Sequence, residues 1–109
     1  MATIEDFLKL DLRLGTIIDA DYLEGAKKPA IKLRIDFGEL GVKQSSAQIT
    51  NRYSPTQLIG KQITAVVNFP VIRIAGFRSE VLVLGGVPSD GDVILLTPDQ
   101  PVENGTKIF

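Results

Sequence analysis

An all-β fold, a small closed barrel with two short helices, is predicted by three observations. Apolar residues recur at every second position, the apolar runs are short, and a turn signal interrupts them roughly every eight to twelve residues. A chain of 109 residues is one domain's worth, residues 1–109, enough for a single core that hides roughly two thirds of the unfolded surface.

The elements follow in order. Thr3 can cap a first helix over Ile4, Glu5, Asp6, Phe7 and Leu8, with Asp6 at the capping-box position and Phe7 and Leu8 as its anchors. A strand is predicted over 12–19, with Gly15 marking a bulge. The cleanest strand is 31–37, where Ile31, Leu33, Ile35 and Phe37 alternate with Lys32, Arg34 and Asp36, so that one face is apolar and the other wet and basic. A third strand is expected over 42–49. Residues 54–60 read as a one- or two-turn helix: Ser54 caps it, Pro55 takes the first helical position and Gly60 stops it. A strand over 62–68 puts Ile63, Ala65 and Val67 on one side, and the continuous runs 81–84 and 93–96 predict strands that are buried on both faces or lie in a barrel. Turns are expected at Gly25, Gly38, Gly60, Gly85-Gly86, 88–91 and Asn104-Gly105. Short strands around one helical turn are the pattern of an OB-type barrel.

The formal charge of -1 conceals an uneven distribution. Nine basic residues between Lys27 and Arg78 face only Asp36 and Glu39, a local charge of +7, whereas the segments before and after each sum to -4. Such a stretch predicts a positive face suited to a polyanion such as RNA.

Absent residue types narrow the chemistry. With no cysteine and no histidine the chain has no disulfide, no thiolate or imidazole metal site and no Ser-His-Asp or Cys-His machinery. An enzyme would need a carboxylate-only site, for which no constellation exists, so no catalysis, metal or cofactor is expected. Asp90 and Asp92 lack the further acids of a calcium loop and read as a turn. Asp19 and Asp21 read as solvated charges on one strand face. The N-terminal stretch lacks the pattern of a secretion signal, and no apolar run nears the ~20 residues of a membrane span, which makes the cytoplasm the default compartment.

The segment 68–80, read as a loop between apolar strands, concentrates candidate binding residues. Arg73 and Arg78 suit phosphate contact, Asn68 and Ser79 hydrogen bonding, and Phe77 base stacking. The alternative reading makes both arginines solvated charges and Phe77 a core residue.

These residues lie among motifs that resemble the tRNA-binding domain found in small free-standing proteins and appended to methionyl and other aminoacyl-tRNA synthetases. The motifs are DLRLGTI at 11–17, KLRIDFG at 32–38, Tyr53 followed by LIGK at 58–61, AVVNFP at 65–70 and SEVLVL at 79–84. Within the family, GVKQSSAQIT at 41–50, IAGF at 74–77 and GTKIF at 105–109 are similar to the free-standing bacterial export-related chaperones. The resemblance implies an OB-fold core, a homodimer built with the N- and C-terminal extensions, and two non-catalytic roles. One is tRNA binding; the other is chaperone-like binding of unfolded or precursor polypeptides and of the SecA translocation motor. It places RNA-facing positions at Lys43, Asn68, Arg73, Ser79 and Glu80. The chain departs from the synthetase-type domains at Ala47-Gln48, at Ile72-Arg73, where they carry a basic pair, and at Val81-Leu82. The lost cation weakens phosphate attraction. Ile72, Ile74 and Phe77 make the segment more apolar, as a polypeptide-binding patch requires, or else they close the barrel or an interface between subunits. Ile108 and Phe109 end the chain on apolar side chains and predict contact with a second subunit.

Overall fold

The computed structural model describes residues 1–109. Its organising element is β1 (Leu12–Tyr22), an eleven-residue strand that serves two neighbours. The half from Leu12 to Thr16 pairs antiparallel with β4 (Gln62–Val66), and the half from Thr16 to Tyr22 pairs with β2 (Ile31–Asp36). β2 pairs in turn with β3 (Val42–Ala47). Before β1 stands α1 (Ile4–Leu8), and between β3 and β4 lies α2 (Pro55–Leu58). After β4 come β5 (Ile72–Ile74), β6 (Phe77–Ser79), β7 (Leu82–Val83), β8 (Gly85–Gly86) and β9 (Ile94–Leu95).

The main sheet has the order β3-β2-β1-β4-β7 and curls until its two edges meet. Closure is made by the chain after β6: Glu80 N donates to Gln44 O at 2.8 Å, Val81 N to the same oxygen at 3.3 Å, and the buried Ser45 hydroxyl to Val81 O at 2.8 Å. The expected small barrel of OB type is the observed fold. Inside it Ile17, Ile31, Leu33, Ile35, Phe37, Leu58 and Ile63 are fully buried. The period-two reading of β2 holds residue by residue, with Lys32 and Arg34 exposed between buried neighbours.

The bulge in β1 is present but not at Gly15. The register slips at Ile18, between the pairs Ile17 with Ile35 and Asp19 with Arg34. One extra residue reverses the facing of all that follow: Ala20 turns inward opposite Leu33, and Asp19 and Asp21 turn to solvent opposite Arg34 and Lys32. Gly15 answers a different need. A Cβ there would stand 2.7 Å from Phe37 Cδ1 and 2.8 Å from Ile35 Cγ2, so the missing side chain is the space the Phe37 ring fills.

Both helices start as expected. Thr3 N donates to Asp6 Oδ2 at 3.0 Å and Asp6 N to Thr3 Oγ1 at 3.3 Å, while Ser54 N donates to Gln57 Oε1 at 2.8 Å. Leu58 of α2 plugs the barrel. In contrast α1 has no fully buried residue: of its two expected anchors Phe7 is half-buried and Leu8 is 52% exposed, and Ile4 is 61% exposed.

Of the two readings of runs 81–84 and 93–96, the place in the barrel holds and burial on both faces does not, since only Val81 and Leu95 are buried and Leu82, Ile94 and Leu96 reach solvent. A barrel wall of this size has one dry side. Gly85-Gly86 is not a turn but the strand β8 against β9, where a Cβ on Gly85 would meet Ile94 O at 2.7 Å. The segment 68–80 is not a loop but mostly a hairpin, β5 against β6, with Ala75 and Gly76 both at positive φ as a two-residue type I′ turn requires.

Candidate nucleic-acid interface

The hairpin pairs Arg73 directly with Arg78 and Ile74 with Phe77. Opposite residues share a face, so the two guanidinium groups project together, and neither has an acidic partner within ion-pair distance. Like charges facing each other cost roughly 0.2–1 kcal/mol unless an anion lies between or beside them.

Arg73 also reaches a cleft of about 550 Å³ between the hairpin and the β1–β2 connection, where Lys27, Lys28, Ser46 and Gln48 join it. Neither lysine is ion-paired. Of the remaining bases, Arg52 Nη2 donates to Asp90 Oδ2 at 3.0 Å, Lys32 and Arg34 stand opposite Asp21 and Asp19 in the register without an ion-pair contact, and Lys43 and Lys61 have no acidic partner. On the wet face of β2 the positive surface is weaker than the charge count suggests, because the first strand brings Asp19 and Asp21 opposite Arg34 and Lys32.

The other residues of the sequence reading lie elsewhere. Asn68 accepts from Asp11 N at 2.9 Å and donates to Lys9 O at 2.8 Å, tying the N-terminal segment to the end of β4. Ser79 is only 6% exposed, and its hydroxyl accepts from Ser46 N at 3.3 Å. Glu80 Oε1 accepts from Gln44 N at 3.0 Å. These three side chains hold the hairpin and the chain start in place. Lys43 is half-buried opposite Ile35 toward the other end of β3, five strand positions from Gln48, or about 16 Å by strand rise. Arg78 is exposed but does not line the cleft.

Sequence reasoning missed Gln44. Its backbone carbonyl takes the amides of Glu80 and Val81, and its Nε2 donates to Arg78 O at 3.1 Å, so one residue clamps the hairpin root to β3. Lys27, Lys28 and Gln48 were likewise not assigned to a binding site, although Lys27-Lys28 is a visible doublet beside a glycine turn.

Adjoining the basic cleft, and sharing Ser46 and Ile74 with it, lies an apolar groove of about 430 Å³ lined also by Phe69, Pro70, Ile72 and Leu82, with Glu80 at its polar edge. Ile72 is 58% exposed there. Phe77 is half-buried and borders a small polar pocket with Arg34, Gln44 and Asp21.

The C-terminal segment is bound within the chain: Leu14 N donates to Thr106 O, Gly105 N to Leu14 O and Ile108 N to Leu12 O. Ile108 is thus half-buried, whereas Phe109 is 91% exposed.

The family described as "Putative tRNA binding domain" matches residues 12–107. Over its full length the chain is similar to the chaperone CsaA of Bacillus anthracis strain Ames, at 66% identity and a TM-score of 0.95 with 99% of that chain covered. It is also similar to the CsaA chaperone of Picrophilus torridus, at 55% identity and a TM-score of 0.93 with both chains covered completely. The methionine–tRNA ligase of Methanococcoides burtonii is 38% identical over 108 residues, 99% of this chain but 16% of the ligase, so the chain spans about one sixth of that relative. No helix is long and apolar enough to cross a membrane. The matched domain, the CsaA likeness and the barrel together show that this chain belongs to the tRNA-binding domain family, as a CsaA-like, non-catalytic binding protein.

Proposed function

We propose that the protein binds tRNA through the cleft bounded by Lys27, Lys28 and Arg73, and holds unfolded or precursor polypeptides in the adjoining apolar groove. The observation that carries the first part is the set of unpaired cations around Ser46 and Gln48, with the facing pair Arg73 and Arg78 left without an acid. Phosphate oxygens relieve that repulsion, and exchange of condensed counterions drives association.

The polypeptide reading rests on the exposed Phe69, Ile72 and Leu82, side chains rimmed by polar groups as in an interaction patch. A homodimer using the exposed Ile4, Leu8 and Phe109 belongs to the same reading, since each of these apolar side chains gains by burial against a second copy. An export role with SecA as partner, and cytoplasmic residence, accord with the CsaA likeness. An alternative, tRNA delivery in trans to a synthetase, accords with the ligase relatives.

Salt separates the two binding activities. Labelled tRNA and a labelled unfolded polypeptide are titrated across a salt series: tRNA affinity should fall steeply and polypeptide affinity should hold or rise. Equal salt dependence for both ligands overturns the division into two grooves.

A further inference from the structure

The basic cleft does not end at Gln48. Lys28 and Gln48 line it and also line a second cavity of about 300 Å³, which continues between the loop after β3 and the turn before β9. The volume is at the lower end of small-ligand sites. Three polar groups in it are unused by the chain: the Gln48 amide, the Thr50 hydroxyl and Asn51 Oδ1 form no hydrogen bond within the molecule, while Pro29 and Val93 supply apolar wall.

Arg52 gives this cavity its character. Its Nε donates to Asp92 O at 2.9 Å and its Nη2 to Asp90 Oδ2 at 3.0 Å, and Asn51 Nδ2 donates to Asp92 Oδ1 at 2.8 Å. Asp92 N donates in turn to Asp90 Oδ1 at 2.9 Å, which fixes the turn that carries both acids. The guanidinium is held in one plane with its charge offset, yet the side chain remains 35% exposed. A neutralised, immobilised guanidinium is a poor phosphate ligand and a good plate for base stacking.

We infer that this cavity receives one unpaired nucleotide of the bound RNA, its base stacked on Arg52 and its edge hydrogen-bonded by Thr50, Asn51 and Gln48, while Lys28 takes the adjoining phosphate. The inference rests on the tRNA reading above and adds a requirement to it: the RNA must present a single-stranded segment next to the duplex resting on Lys27 and Arg73. A paired base is excluded because its faces and Watson–Crick edge are already occupied in the helix.

The test uses the full chain and two labelled RNA hairpins identical except for a 3′ single-stranded overhang of about four nucleotides, the smallest OB-fold site size. The overhang form should bind on the order of tenfold tighter, within the range that one stacked base contributes. Arg52→Ala should abolish that preference and leave the blunt hairpin's affinity unchanged. Since Arg52 also anchors the 90–92 turn, Thr50→Glu is the second variant. It breaks no bond of the chain and puts a carboxylate where the nucleotide would enter, so it should remove the preference in a protein with unchanged thermal unfolding. Equal binding of both hairpins by the unmodified protein, or a preference that survives either substitution, overturns the nucleotide pocket and leaves tRNA binding standing. Failure of tRNA and of both hairpins to bind overturns the tRNA reading and the pocket with it.

Discussion

Charge removal at the cleft and charge removal on β2 should have different consequences for RNA binding. Three unpaired cations, Lys27, Lys28 and Arg73, bound the cleft, and each phosphate they neutralise contributes about 0.7–0.9 to the slope of log K against log salt. The expected slope is therefore about -2.1 to -2.7 per chain, and a fourfold rise in salt should weaken tRNA binding roughly 20- to 40-fold. Lys28→Ala or Arg73→Ala should make the slope shallower by about 0.7–0.9, since each removes one contact. Lys32→Ala and Arg34→Ala should leave it unchanged, because Asp21 and Asp19 stand opposite them in the register. The assay is equilibrium tRNA binding at several salt concentrations for the unmodified protein and the four variants. If the β2 variants flatten the slope as much as the cleft variants, the whole basic stretch faces the RNA and the local pairing argument is refuted.

Four more outcomes are expected. Gly15→Ala should cost about 1–3 kcal/mol, because the new methyl meets two fully buried side chains, and Phe37→Leu in the same chain should recover part of it; thermal unfolding reads both, and a neutral Gly15→Ala would refute the packing account. Glu80→Gln keeps an acceptor for Gln44 N and should leave tRNA affinity equal or higher, whereas Glu80→Ala should speed hydrogen exchange at Gln44; weaker tRNA binding by the folded Gln variant would make Glu80 an RNA contact. Ile72→Asp should weaken polypeptide binding at high salt several-fold without lowering tRNA binding, and loss of both would merge the two grooves. Phe109→Asp should shift the protein toward monomer in analytical ultracentrifugation. It is a cleaner probe than deleting 107–109, which also removes the Ile108 bond to Leu12, and an unchanged dimer would remove the tail from the interface.

The barrel was legible because its signals are local. Alternation in 31–37 follows from a period-two backbone with one dry face, and both helix starts follow from short-range capping that needs no tertiary context. The hairpin was read as a loop because its apolar and charged residues do not alternate over enough length to register as strands. Its turn, Ala75-Gly76, lacks the asparagine or aspartate that usually marks a type I′ connection. The bulge was assigned to the only glycine in the strand, when the slip occurs at Ile18, which no composition rule distinguishes from its neighbour Ile17.

The candidate site was legible in part. Arg73 was identified, since a cation among apolar residues stands out in one dimension. Lys27 and Lys28 gain meaning only when the β1–β2 connection is brought against the hairpin across β3, and the Arg52 pocket exists only because residues 90–92 fold back onto residues 51–52. Ser79 and Asn68 were expected to face a ligand as polar residues at the ends of apolar runs. In a barrel those ends are also where closure and the chain termini need hydrogen bonds, and the polar groups are used there.

The sequence alone determined an all-β barrel with capped short helices, and its family motifs pointed to the tRNA-binding domain that the comparisons show. Each of these depends on periodicity and neighbours a few residues apart. Only the tertiary structure decided how much of the +7 remains free. Whether a charge attracts a polyanion depends on which opposite charge lies across the sheet, and register, set here by a one-residue bulge at Ile18, puts Asp19 and Asp21 against Arg34 and Lys32 while leaving Lys27, Lys28 and Arg73 unopposed.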